Sequence, residues 1–118
     1  MRRLHLFRDA QQEPDLGEIG SDALISGPVG TRTLNVFESS DGKMFGGIWR
    51  ATVGSWRVSY TETEYCYITQ GRARLIDNAQ EVVDVCIGDG FIIESGFEGV
   101  WEVLEDMEEH YMIVLPQS

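Results

Sequence analysis

Tyr60, Glu62, Glu64 and Cys66 occupy every second position of the segment running from Gly54 to Gly71. If that segment is one unbroken strand, side-chain alternation puts all four on one face together with Val58. A phenol, two carboxylates and a thiol on one face could move protons, bind an amine or hydroxyl, or hold a metal ion. Glu64 is the candidate catalytic residue, because a carboxylate taken into a barrel interior loses hydration and titrates closer to neutrality. The competing reading makes it a structural carboxylate held by Arg57 or Tyr60. Tyr60 could donate its hydroxyl to a ligand or to Glu64 itself. Cys66 reads as buried packing, since neighbouring carboxylates raise a thiol's pKa and no basic partner stands beside it in the sequence.

Trp49, Trp56 and Trp101 are a large aromatic allotment, and core packing explains most buried tryptophans. Trp49 and Trp101 are the two expected to form walls against a ligand. The acidic run Glu102, Glu105, Asp106, Glu108 and Glu109 lacks calcium-loop spacing and reads as a solvated loop. The sequence has no glycine-rich phosphate loop, no local Ser-His-Asp arrangement and no basic-aromatic stripe.

The elements that must position these residues are strands. From Thr31 onward, apolar and β-branched runs alternate with turn signals: Ser40-Asp41-Gly42, Gly54, Gly71, Asp77-Asn78, Gly88-Asp89-Gly90 and Ser95-Gly96. The runs are Thr33–Glu38, Phe45–Thr52, Ser55–Thr61, Glu64–Gln70, Arg72–Ile76, Val82–Cys86, Gly90–Ile93, Gly99–Leu104 and Glu109–Leu115. With a first strand over Met1 to Phe7, this predicts an all-β barrel or sandwich of about ten strands. Residues 9–29 carry Gly17, Gly20 and Gly27-Pro28 and read as an arm with at most a short turn of helix. The division is therefore 1–30 as N-terminal strand and arm, packed on a barrel of 31–118, within one domain.

A formal charge of −11 on 118 residues argues against nucleic acid and anionic membrane as partners, because both need clustered lysine and arginine. The two cysteines, Cys66 and Cys86, have no C-x-x-C spacing and read as reduced thiols. The basic amino terminus has too short an apolar segment for a signal peptide, so the expected location is cytoplasmic.

The ordered landmarks Gly47-Ile48-Trp49, Gly54-x-Trp56, Glu64-x-Cys66-Tyr67, Gly71, Gly88-Asp89, Gly96-Phe97, Gly99-x-Trp101 and His110-Tyr111 resemble the cupin family. The likeness is to single-domain cupins of the RmlC-like kind, in the subfamily that includes ureidoglycine aminohydrolase and the ethanolamine-utilisation cupins. It runs from Gly47 to Tyr111, over half of the chain. It implies a cupin-type double-stranded β-helix, a jelly-roll barrel with an N-terminal arm. The usual cupin motifs supply three histidines and a glutamate to a metal. Aligned on Glu64, Gly71 and Gly96, the histidine positions fall here on Val58, Tyr60 and Gly99, and only Glu64 survives. No cofactor is therefore expected. If a divalent metal binds, Glu62 and Glu64 would hold it, with His110 as a further donor; otherwise His110 reads as a core or edge histidine. Gly99, beside Trp101, would leave room for a ligand against an aromatic wall. Related sequences tend to carry a lysine where this chain has Glu109, which would instead add a second carboxylate.

The resulting expectation is a barrel that binds a small polar metabolite, nitrogenous or hydroxylated, without the usual metal. The expected contacts are Trp49, Tyr60, Glu62, Glu64, Cys66, Gly99 and Trp101. The alternatives are a small enzyme acting on a ureide, amine or sugar through Glu64 or a rearranged metal site, and a structural partner protein. A homodimer would cover the edge that an open jelly roll leaves.

Overall fold

The computed structural model describes residues 3–116. Their secondary structure is one 3-10 turn, Phe7–Asp9, and nine strands. These are β1 Asp15–Glu18, β2 Leu24–Ser26, β3 Gly30–Glu38, β4 Met44–Ala51, β5 Gly54–Ser59, β6 Thr63–Asp77, β7 Val82–Cys86, β8 Gly90–Ile93 and β9 Glu98–Val114. All pairings are antiparallel, and the sheet curls on itself in the order β1-β3-β4-β9-β5-β2, with β6 along the other side of β9. β6 carries β7 on its C-terminal half and β8 on its N-terminal half. Curling of this kind, with short strands at the edges, is expected of an all-β chain with short turns.

β7 and β8 coincide with their sequence reading, and β3, β4 and β5 lie within a few residues of it. Three expectations need correction. Residues 3–6 form no strand, and Met1 and Arg2 lie outside the described residues. The arm holds two short strands instead of a helical turn: β1 zips onto β3 and β2 onto β5. The runs split at Gly71 are one strand, β6, and those split by the acidic segment are one strand, β9.

Gly71 joins the two halves of β6 through a bulge. Inward-facing positions are Glu64, Cys66 and Ile68 before it and Ala73 and Leu75 after it, so the parity of the buried face changes. The pairing with β9 slips between Ile68 and Ala73 to accommodate the extra residue. Gly71 has φ +84°, and a Cβ there would collide with the Asp106 carbonyl. Gly88, at φ +93°, makes a true turn, closed by Asp89 Oδ2 accepting from the Cys86 amide at 2.8 Å.

The acidic segment is a strand because its outward carboxylates meet arginines directly across the ladder. Glu102 faces Arg74, Glu105 faces Arg72 and Glu108 faces Arg50. The ion pairs span 3.4, 2.9 and 2.8 Å respectively. Each exposed pair is worth only about 0.2–1 kcal/mol, but together they remove the repulsion that would otherwise open the strand. The alternate residues Met107, Glu109 and Tyr111 point inward and are buried.

Candidate functional site

The inward residues of β3, β4, β5, β6 and β9 enclose a cavity of about 480 Å³. One wall is aromatic: Trp49 on β4, Trp56 on β5 and Trp101 on β9. Trp56 and Trp101 are cross-strand partners and stack at 5° with centroids 6.1 Å apart, while Trp49 meets them edge-on at 5.9 and 6.5 Å. Such pairs add about 0.5–1.5 kcal/mol each beyond burial, so the wall is a rigid one.

The polar floor comes from two strands. Glu64 on β6 and Glu109 on β9 both line the cavity, and both are buried, at 9% and 2% exposure. Their carboxylate oxygens and the Cys66 sulfur all lie within 4.8 Å of one another. Burial raises Glu64 to about 7, partly offset by the Tyr60 hydroxyl, with Glu62 adding a further upward push. Burial and the charge of Glu64 hold Glu109 well above the ordinary carboxylate range, against a contact with Cys66 that favours its ionised form. Glu109 Oε1 is buried and, among the described residues, has no hydrogen-bond partner.

Two phenols complete the floor. Tyr60 leaves β5 just past its end, where its amide donates to the Phe97 carbonyl at 2.9 Å and its carbonyl accepts from Gly96 at 2.7 Å. Its hydroxyl accepts from Trp101 Nε1 at 3.0 Å, and burial followed by the charge of Glu64 raises its pKa. Tyr111 donates to Asn35 Oδ1 at 2.8 Å, and burial, then Glu64 and Glu109, push it up to about 12. Gly47 permits that reach, since a Cβ there would come within 2.7 Å of the Tyr111 hydroxyl. Exposed Asp15, on β1, lines the cavity where it meets solvent.

The residues singled out in the sequence divide into two groups. Trp49, Tyr60, Glu64 and Trp101 come together around the cavity. Glu62, Cys66, Gly99 and His110 are not among its lining residues. The strand expected to carry Val58 through Cys66 breaks at a bend over Thr61 and Glu62, so Glu62 turns away and accepts from the Thr61 amide at 3.1 Å. Cys66 keeps the Glu64 face but is fully covered, with its thiol raised by burial and then by Glu109 and Glu64.

The space expected beside Gly99 is not there. A Cβ at Gly99 would collide with the Ile76 carbonyl of β6, so the glycine marks close strand contact, not ligand room. His110 points to the opposite face from Glu109 and packs on Phe7, with centroids 4.8 Å apart. Arg57, a conceivable structural partner for Glu64, instead donates to the Asp22 carbonyl at 3.0 Å.

Glu109 has two readings from the sequence: the solvated acidic run is overturned by its burial, while the second carboxylate implied by the cupin resemblance agrees with its place on the floor. The alternation of Met107, Glu109 and Tyr111 is the signal of that inward face. Trp56, Tyr111, Asn35 and Asp15 were missed as site residues. The first two carry an alternation signal; the last two depend on how β1 and β3 fold over the barrel, which leaves no local trace.

The histidine set of a metal-binding cupin does not fit here: its positions are Val58, Tyr60 and Gly99, and Gly99 has no space for a side chain. The donors that do converge are two carboxyls and the covered Cys66 thiol, each held protonated or shifted toward protonation by burial. They do not make an open imidazole site of the cupin kind.

A curled antiparallel barrel with its polar floor inside has the architecture of the cupin β-barrels. The chain belongs to the EutQ-like cupin family, whose model matches residues 38–111. Solved structures agree on the fold. A DUF861-family protein of unknown function from Pseudomonas syringae superposes with a TM-score of 0.80 at 20% identity, covering 91% of this chain but 46% of its own. The EutQ protein of Clostridium difficile gives 0.63 at 15% identity, over 71% of this chain and 61% of its own. A putative ethanolamine utilization protein Q from Salmonella typhimurium gives 0.67 at 14% identity, over 91% and 99%. This chain thus spans under two thirds of the first two. No curated protein matches the sequence.

Among the described residues, no helix is long and apolar enough to cross a membrane.

Proposed function

We propose that the protein binds a small polar metabolite, nitrogenous or hydroxylated, inside its barrel, without the histidine-held metal of other cupins. The observation that carries this reading is the buried, partnerless Glu109 Oε1 in a cavity of about 480 Å³. An unpaired buried acceptor costs about 1–3 kcal/mol, which a donor on a bound molecule recovers. Cavity volume, an apolar wall and a few convergent polar groups are the usual composition of a small-molecule site. The ethanolamine-utilization name of the Salmonella typhimurium relative suits a small amino compound, by analogy alone.

A second reading is a small enzyme in which Glu64 is the acid or base, favoured by a carboxyl raised to about 7. Binding ranks above it because the unpaired Glu109 Oε1 calls for a donor on a bound molecule whether or not a reaction follows. A structural partner whose barrel is filled by its own side chains ranks last, since the barrel has open volume. A homodimer belongs to the proposal as well: among the described residues β7 and β8 pair only with β6, and Val83 and Ile92 on them are exposed.

The test is a thermal-shift screen of small amines, amides, ureides and polyols against wild type and Glu109→Gln. Stabilisation of wild type by one class, lost in the variant, supports binding at this floor. Equal shifts in both proteins contradict it. Turnover of a ureide or amine, abolished in a folded Glu64→Gln variant, would favour the enzyme.

A further inference from the structure

The charge of the cavity's occupant can be read from groups on separate elements. Glu64 and Glu109, from β6 and β9, line one space, with carboxylate oxygens within 4.8 Å of each other. Among the described residues, no lysine, arginine or histidine lines that space. A neutral guest therefore leaves any buried carboxylate charge uncompensated, whereas a cation pairs with it. The faces of Trp49, Trp56 and Trp101 also attract positive charge. Asp15 stands exposed at the mouth, and the chain's net charge of −11 draws cations toward it. Finally, Glu109 Oε1 needs a hydrogen-bond donor, which a quaternary ammonium cannot supply.

Resting on the reading of the cavity as a metabolite site, we infer that its occupant is a primary ammonium, a small organic monocation that enters in exchange for a proton held by the Glu64–Glu109 pair. In the exchange a carboxyl O–H bond breaks and its proton goes to solvent. The electron pair stays on the oxygen, which then accepts from an ammonium N–H, and the ammonium keeps all its protons. Near pH 6 burial leaves both protons on the pair, which is then neutral; one proton lost and one ammonium gained leaves it neutral again, so the exchange adds no net charge to the interior. The other titratable groups facing the pair are Tyr60, Cys66 and Tyr111, with Glu62 and Asp15 farther out. Burial keeps both phenols and the thiol neutral, which leaves the carboxyl pair as the proton source.

The test is isothermal titration of wild-type protein near pH 6 in buffers of different ionisation enthalpy. The probes are n-propylamine, its neutral counterpart n-propanol, tetramethylammonium and zinc chloride. Expected is n-propylamine binding with release of about one proton, at least about tenfold tighter than n-propanol or tetramethylammonium. Equal binding of n-propanol or tetramethylammonium, or amine binding without proton release, overturns the inference and leaves the metabolite site standing. Zinc binding that blocks the amine also overturns it. Failure of every probe to bind overturns the inference and the metabolite site together.

Discussion

Glu64 and Glu109 bring their carboxylate oxygens within 4.8 Å of each other, yet neither is the other's partner in the ladder. Glu64 pairs with Ile113 and Glu109 with Ile68. The two positions lie four residues apart in register, with the Cys66–Tyr111 pair between them, and their long side chains meet because β6 and β9 both turn alternate residues inward along a shared length. Two buried carboxyls without a cation among the lining residues are costly for folding, and such a cost is usually kept where function requires it.

The first consequence is a reversed pH dependence of stability at Glu64. Unfolded, the side chain releases its proton near its ordinary value of 4.5; folded, it holds the proton until about 7. The folded state therefore binds more protons between those values. The stability this gives is complete below 4.5 and is lost as pH rises through 7. Glu64→Gln should match wild type at about pH 4.5 and exceed it by up to about 3 kcal/mol at about pH 8. Denaturant melts across pH check this; a variant equally or less stable at the alkaline end contradicts it.

Glu109→Gln should behave alike but over a higher window, because Glu109 is held protonated further above the ordinary range. Its gain over wild type should still be growing at pH values where the gain from Glu64→Gln has levelled. Melting temperatures of both variants measured through the alkaline range separate the two residues. A gain that levels at the same pH would mean that the two carboxyls titrate as one unit.

Gly99→Ala should destabilise the fold severely, by more than about 2 kcal/mol, because the new Cβ meets the Ile76 carbonyl. Gly71→Ala should do the same through the Asp106 carbonyl and its φ of +84°. Chemical denaturation gives both values. A near-neutral Gly99→Ala would revive the reading of that position as vacated ligand space.

Much of the fold was legible because short β runs and glycine turns are local signals: β7 and β8 were read to the residue. The long strands β6 and β9 were not, because their continuity depends on partners far away in sequence. Gly71 signals a turn locally but serves a bulge against Glu105 and Asp106. The acidic run signals solvent locally but is tied down by Arg50, Arg72 and Arg74. The site was half legible for the same reason. Tyr60 and Glu64 lay on motif positions, whereas Glu109 stood among neighbours that do face solvent and showed as a second carboxylate only through the cupin resemblance.

Trp101→Phe removes the indole donor to Tyr60 while keeping an aromatic ring. Expected are a loss of about 1–3 kcal/mol in stability and weaker ligand binding, since the Tyr60 hydroxyl loses its anchor and the wall loses area. Melting curves and titration with n-propylamine measure the two effects. Full retention of amine affinity would remove Trp101 from the site.

The most direct single measurement is a high-resolution crystal structure of the protein grown with n-propylamine. The expected result is the amine nitrogen at hydrogen-bond distance from Glu109 Oε1 and beside Glu64, with its alkyl chain on the tryptophan wall. An empty cavity, a metal ion between the carboxyls, or an amine bound only at the surface would contradict the assignment of this barrel as an ammonium site.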